Sequence, residues 1–406
     1  MSERTLRILV VAPRLPYPPT WGLATRGYQL SRLLARRHEV TMVCFANRGA
    51  EQEAREFEPE LTALHTVPLR PLSGGGSSRR VAQLRALGSP TPFLAATERT
   101  PTLQAAIDGL VGTQQFDSIH LESLAMFGLR FPRDIPIVLG EHNIEYELLQ
   151  RLSVGEHSAA RRAYNRIEFE KLRRFEHRAW RTVAGVAITS EREVRIVRSV
   201  APHTPAANVP NGVDTEYFAP APTPPEPDSL VFTGLLSYRP NIDAVQHLVN
   251  DIFPLVRRER PSCTLTIVGG GGDDLAHLAG PGIRFTGYVP DLRPEIARAS
   301  VAVVPIRMGS GTRLKVVEAL AMAKPMVSTT IGCEGIDVHD EEHLLIGDSP
   351  AAFATQVLRL LDDPDAAQRM GERGAALARS EYSWSGAADV LEALHLRVTD
   401  KQTARP

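Results

Sequence analysis

Short apolar runs alternate with longer amphipathic ones along nearly the whole chain, and this rhythm stops once before starting again. Residues 6–12 (LRILVVA) predict a buried strand, because the run is continuous, apolar and short. Residues 22–37 predict a helix with Tyr28, Leu30, Leu33 and Leu34 on its apolar side. Further strands are expected at 39–45, 118–121, 135–139 and 183–189. Then residues 219–228 read APAPTPPEPD. So many prolines exclude a helix interior or a central strand and predict a semi-rigid extended connector. Beyond it come strands at 230–233, 264–268, 284–286, 301–305 and 326–328, with helices at 241–258 and 312–323. Strand–helix alternation of this kind requires parallel sheets covered by helices. The expected fold class is α/β, with two Rossmann-like domains at 1–205 and 229–380, a linker at 206–228, and a last segment at 381–406. A length of 406 residues suits two cores.

Several function classes drop out on composition. Lys+Arg 46 against Asp+Glu 47 leaves a net charge of −1, so no overall basic field exists to hold nucleic acid. Cys44, Cys263 and Cys333 have no metal-type spacing, and three scattered thiols suit a reducing, cytosolic compartment. No apolar stretch reaches membrane-spanning length. The helical run 157–181 carries Arg161, Arg162, Arg166, Lys171, Arg173, Arg174, Arg178 and Arg181. Its plainer reading is a solvated face with intrahelical ion pairs. Its sharper one is a patch drawn to anionic lipid headgroups, which would put the protein at the inner face of the membrane. Residues 73–78 (SGGGSS) read as a loop.

The strongest chemical signal is residues 307–325, RMGSGTRLKVVEALAMAKP. The segment leaves a strand, passes through Gly309, Ser310 and Gly311, and opens a helix near Thr312. Glycines let backbone N–H groups approach a ligand closely, and a helix N-terminus favours an anion. From Ile296 to Val317 there is no Asp or Glu, yet Arg298, Arg307, Arg313 and Lys315 are present. Cations at a helix N-terminus oppose the macrodipole, so a phosphate or diphosphate is the natural occupant. The alternative is a set of surface arginines that happen to fall there. Lys315 and Glu318 share one face of a helix that is otherwise apolar. Either they pair with each other, or Lys315 meets phosphate and Glu318 accepts from a ribose diol.

The run GSGTRLKVVEALAMAKP, followed by MVSTTIGCEG at 326–335, resembles the donor-site motif of glycosyltransferase family 4, of GT-B fold. NVPNGVDTEYF (208–218) resembles that family's interdomain signature, and FTGLLSYRPNIDAV (232–245) its first C-terminal strand and helix. PPTWGLATRGYQLSRLLARRHEVTMV in the opening segment resembles its first strand–loop–helix. The resemblance implies two domains facing a cleft and a retaining, metal-independent transferase with no cofactor. It implies a nucleotide-diphosphate sugar as donor and a saccharide or lipid-linked saccharide as acceptor. The donor is expected on the second domain and the acceptor on the first, with the last helix crossing back.

Carried over by position, the donor-side candidates are Gly22, Gly234, Tyr288, Val289, Gly309, Ser310, Gly311, Thr312, Leu314 and Glu318. Catalytic candidates are His142, just past a strand end, with Arg313 and Lys315. Arg26 is a candidate for phosphate or acceptor contact, with a solvated helix arginine as the alternative. The pattern departs from the family in places. Ser310 stands where many members carry a first glutamate, Leu235 follows Gly234 where an arginine is common, and a paired glycine is reduced to Trp21-Gly22. Cys333 reads as a small filler. Rivals from other classes are a nucleotide-sugar epimerase of the same fold and a non-catalytic nucleotide-sugar-binding protein. A nicotinamide enzyme would need G-x-G-x-x-G after the first strand, and APRLPYPPTWGLATRG lacks it.

Overall fold

The computed structural model describes residues 4–69, 83, 86–153, 158–222, 224–308 and 312–403. The expected loop at 73–78 lies outside the described residues, as do Gly309, Ser310 and Gly311. The chain forms two compact units, residues 1–210 with 387–406, and residues 211–386.

The first unit holds a seven-stranded sheet of β1 (Arg7–Ala12), β2 (Glu39–Ala46), β3 (Ala63–Pro68), β4 (Ser118–Leu121), β5 (Ile137–Gly140), β6 (Gly185–Ile188) and β7 (Ala206–Asn208). Their order is β3-β2-β1-β4-β5-β6-β7, every pairing parallel. The second unit holds β8 (Ser229–Thr233), β9 (Thr264–Val268), β10 (Ile283–Gly287), β11 (Val301–Val304), β12 (Met326–Ser328) and β13 (Leu345–Ile346). Their order is β10-β9-β8-β11-β12-β13, again all parallel. In both sheets the order reverses beside the first strand, between β1 and β4 and between β8 and β11. Such a switch point opens a crevice beyond the carboxyl ends of the strands.

The expected central strands are all present, with ends shifted by a residue or two. The edge strands β3, β7 and β13 carry no sequence expectation. They are short or partly exposed, so no apolar run marks them. The expected helix at 241–258 is interrupted. A π turn at Leu248–Ile252 separates Arg239–His247 from Phe253–Glu259. Pro254 has no N–H to give an i−4 carbonyl, and the wider turn absorbs that loss. The basic helix runs Ala159–Thr182, and no described helix is long and apolar enough to cross a membrane.

The proline-rich connector sits within the second unit, which begins at Asn211. The Glu226 N–H donates to the Arg298 carbonyl at 2.8 Å, and the Glu226 carbonyl accepts from the hydroxyls of Ser229 and Ser300. These bonds tie its last residues to β8. At the other end, helix Trp384–Thr403 joins the first unit from Ala387 onward. There Glu392 pairs with Arg37 at 2.8 Å and with His38 at 3.0 Å. Leu394 and Val398 pack where a Cβ on Gly185 would stand, 3.1–3.2 Å away, so that position admits only glycine without repacking.

Candidate functional site

In the second unit, helix Leu314–Ala321 begins two residues later than expected, with Arg313 as its N-cap and no acidic residue in its first turn. Val316, Val317 and Leu320 are buried against β8, β11 and β12. Each contributes about 1.5–3 kcal/mol relative to an exposed side chain. That burial fixes the helix axis, and with it the side chains at its start.

Two loops meet there. Gly234 and Gly269 follow β8 and β9 with φ of 152° and 150°. A Cβ on Gly269 would lie 1.9 Å from the Gly234 carbonyl oxygen, and a Cβ on Gly234 would lie 2.7 Å from Lys315 Nζ. Only glycine at both positions lets the two loops and the Lys315 ammonium share this space. Lys315 Nζ donates to Asn241 Oδ1 at 2.9 Å and stands 3.9 Å above the Phe232 ring. Asn241 in turn donates to the Leu235 carbonyl at 2.8 Å, which fixes the orientation of its amide. Burial, with some help from the Arg313 charge, lowers the Lys315 pKa to about 7. Burial raises the Glu318 pKa to about 7.

Lys315 and Glu318 act on each other through space, each opposing the shift that burial imposes on its neighbour. No salt bridge joins Lys315 to Glu318, and no hydrogen bond reaches the Glu318 carboxylate among the described residues. Both side chains are half-buried, which costs free energy for each charged form.

The expected cluster of four cations is reduced. Arg307 forms a bidentate pair with Asp243 at 2.7 and 3.0 Å. Arg298 lies 3.4 Å from Glu226 and 3.5 Å from Glu295. The absence of acidic residues from 296–317 concealed carboxylates supplied from elsewhere in the fold. Arg313 extends to the Ile331 carbonyl at 3.4 Å. Thr312 is buried, its carbonyl accepting from Asn211 at 3.1 Å. Leu314 packs on the core, as does Val289, whereas Tyr288 is 67% exposed beside Gly270. Cys333 is buried, and burial pushes its thiol pKa up, which suits a filler.

In the first unit, a polar chain runs beneath the ends of β4 and β5. Ser118 Oγ meets His395 Nδ1 at 2.9 Å, and His395 Nε2 meets His120 Nδ1 at 3.4 Å. His120 Nε2 meets Glu122 Oε2 at 2.9 Å, and His142 Nε2 meets the Glu122 carbonyl at 2.9 Å. A carbonyl only accepts, so His142 carries its proton on Nε2 and leaves Nδ1 as an acceptor. Burial lowers the His142 pKa to about 4, against the pull of Glu122, so the ring is neutral at pH 7. Burial alone would raise the Glu122 carboxyl. The His120 hydrogen bond and the charges of His120, His142 and Arg26 bring it below its ordinary value.

Arg26 is not a solvated helix arginine. It lies on the inner stripe of helix Gly22–Ala35 with Leu30 and Leu34, only 2% exposed. Its Nη1 donates to the Pro210 carbonyl at 3.2 Å. Burial lowers its pKa to about 10, and the charges of Glu122 and Glu193 oppose the fall. Gly22 is exposed at the first position of the helix. Sequence reasoning missed Asn241, Phe232, His120 and Glu122. For the last two a signal existed, since polar side chains at the end of a fully buried strand need partners.

A model described as Glycosyltransferase Family 4 matches residues 22–217, and one described as Glycosyl transferases group 1 matches residues 227–363. The chain belongs to glycosyltransferase family 4. The family 4 match takes in Gly22, Arg26 and His142, and the group 1 match runs from before Gly234 to beyond Glu318. Glycogen synthase from Mycobacterium tuberculosis is 30% identical over 201 residues, 46% of this chain and 47% of that protein. The chain spans about half the length of the curated relatives it matches. A sucrose-phosphate synthase from Thermosynechococcus elongatus superposes with a TM-score of 0.74 at 18% identity, over 97% of this chain and 100% of that one. Anabaena HepE in complex with UDP gives 0.62 at 14%, over 98% and 100%. At these identities the likeness is one of fold, and the fold of this family 4 chain is GT-B.

Proposed function

We propose that the protein is a retaining, metal-independent glycosyltransferase that moves a sugar from a nucleotide-diphosphate donor to a saccharide or lipid-linked saccharide. The carrying observation is the pair Arg313 and Lys315 at the start of a buried helix beyond the β8/β11 switch point, with Glu318 one turn further on. Breaking a glycosidic bond to a diphosphate throws negative charge onto phosphate oxygens. Two cations and the free N–H groups of helix Leu314–Ala321 meet that charge. Glu318, which no donor reaches among the described residues, accepts from the ribose diol, and Tyr288 and Val289 flank the base. Gly234 keeps the backbone out of the phosphate path. The first unit takes the acceptor, and the neutral His142 offers Nδ1 to a sugar hydroxyl. Retention of configuration is supported by the family to which the chain belongs. The exposed Arg166 and Arg174 of helix Ala159–Thr182 suit a peripheral contact with anionic lipid, although neighbouring Arg173 is satisfied by Glu170 at 2.9 Å.

The test is acceptor-dependent release of nucleotide from a panel of nucleotide sugars, with and without lipid-linked saccharides. Release should survive EDTA, because the leaving-group charge is met by protein groups. Loss of turnover on chelation, restored by magnesium or manganese, would refute metal independence. Release indifferent to every acceptor would refute transfer.

A pH effect follows from Lys315. Its ordinary pKa is 10.5 and burial holds it near 7, so most of it is uncharged at pH 8. A bound diphosphate favours the charged form and draws a proton in. Calorimetry of UDP binding at pH 8, in buffers of differing ionisation heat, should show net proton uptake that is absent from Lys315→Met. Equal heats in all buffers would mean that Lys315 does not face the phosphates.

A further inference from the structure

Strand β4 lies between β1 and β5, and every residue of it is buried. Alternate side chains of a strand share a face. Ile119 and Leu121 join the apolar core on one face. Ser118 and His120, continued by Glu122, put three buried polar groups on the other. Polar groups so placed cost free energy unless each finds a partner. Ser118 and His120 share one, His395 on helix Trp384–Thr403. We infer that His395 and His120 are positioning residues for His142: they lock the Glu122 side chain behind it, and so hold the ring with Nδ1 left as the acceptor. The inference rests on the reading that His142 meets a sugar hydroxyl, and adds to it two residues that touch no ligand.

The hydrogen bonds run in one direction. A carboxylate only accepts, so the 2.9 Å contact with Glu122 Oε2 puts a proton on His120 Nε2. A neutral His120 then accepts on Nδ1, and His395 Nε2 donates to it at 3.4 Å. His395 in turn accepts on Nδ1 from the Ser118 hydroxyl at 2.9 Å. Burial, with the charges of His120 and His38, lowers the His395 pKa well below its ordinary value, so this ring carries one proton. At the other end, His142 Nε2 lies 2.9 Å from the Glu122 carbonyl and 3.6 Å from Glu122 Oε1. Both halves of Glu122 face the same nitrogen of His142. A carboxylate freed from His120 would turn and compete for that proton.

The packing makes room for His120. A Cβ on Gly140, in the neighbouring β5, would lie 2.9 Å from His120 Nε2 and 3.1 Å from the Leu121 carbonyl. The strand that leads to His142 therefore carries glycine where the His120 ring passes. Anchoring the last helix does not require this arrangement. Leu394 and Val398 already pack at Gly185, and Glu392 pairs with Arg37 and His38. A set of residues serving only as an anchor could be apolar, since a buried polar pair can be replaced by apolar groups at little cost.

The full-length protein is prepared with isotope-labelled histidine, and the ring nitrogens are read by NMR at neutral pH. His142→Gln assigns the His142 signals by their loss. In the native chain His142 and His395 should both carry the proton on Nε2. His395→Phe keeps the bulk of the ring and removes its donor. The His142 signals should then shift or broaden, and kcat should fall about tenfold, the scale of one lost hydrogen bond, with UDP binding unchanged. His395→Gln, whose amide offers a donor at similar reach, should restore most of both. Ser118→Ala replaces no ring and should move the His142 signals the same way by less, and it decides the matter if the phenylalanine variant does not fold. Thermal melting reports folding for each variant. A purely structural role lowers the melting point and leaves the His142 signals in place. His142 signals unmoved in a folded His395→Phe or Ser118→Ala, or a glutamine variant no better than the phenylalanine one, would overturn the inference. Shifted His142 signals in a protein whose native chain transfers sugar to no acceptor sink the transferase reading alone.

Discussion

Lys315→Ala and Arg313→Ala each slow sugar transfer by roughly 10²–10³-fold, the scale for removing one charge-stabilising donor from a preorganised site. The loss should appear in kcat together with kcat/KM, because the charge these groups meet grows as the glycosidic bond breaks. The ligand-free protein should behave in the opposite way. Folding takes the Lys315 pKa from 10.5 down to about 7, so the fold carries a penalty. That penalty is full below pH 7, shrinks as pH rises, and is gone above about 10.5. Removing the ammonium should therefore leave the melting point at pH 6 unchanged or higher. Steady-state kinetics and melting curves on both variants check this. A rate loss below about tenfold, or one explained wholly by unfolding, would make the cluster structural.

Arg26→Ala destabilises the first unit by about 3–5 kcal/mol, the range for stripping one partner from a buried set of charges. Arg26 is enclosed, and Glu122 and Glu193 are both buried within reach of its charge. Without it their carboxylates lose the guanidinium that offsets their removal from water. Glu122→Gln in the same chain should recover part of the loss, because the remaining buried charge is then smaller. Denaturant unfolding of the single and double variants measures both quantities. If Arg26→Ala melts normally yet loses nucleotide or acceptor binding, Arg26 is a ligand contact and its burial has been misjudged.

Arg26 also shows where sequence stops being legible. The strands of both sheet centres could be read directly, because a strand buried on two faces is a short, mostly apolar run, as in LRILVVA ending at Ala12. Edge strands such as β7 lack that run, and nothing local announces them. On the helix after β1, Arg26 stands four residues before Leu30 and eight before Leu34, on the buried stripe. A charged side chain there reads as solvated until the fold reveals Glu122 and Glu193, which lie far away in sequence. The same holds at Arg307, in the segment after β11, whose partner Asp243 comes from helix Arg239–His247. Lys315 and Glu318 were legible because polar residues on an apolar helix need a reason. The identity of the Lys315 partner was not, since Asn241 arrives through the topology of β8 and the helix that follows it.

The first unit is built from two pieces of chain, residues up to 210 and the stretch from Ala387. Translation runs in one direction, so the ribosome makes all of residues 211–386 before it supplies Leu394, His395 and Val398. Until then Gly185 has no cover, and Ser118, Arg37 and His38 lack partners that the native state gives them. Domains tend to fold in the order of synthesis. Here the second unit is the first whose sequence is complete, and the unit begun earliest is finished last.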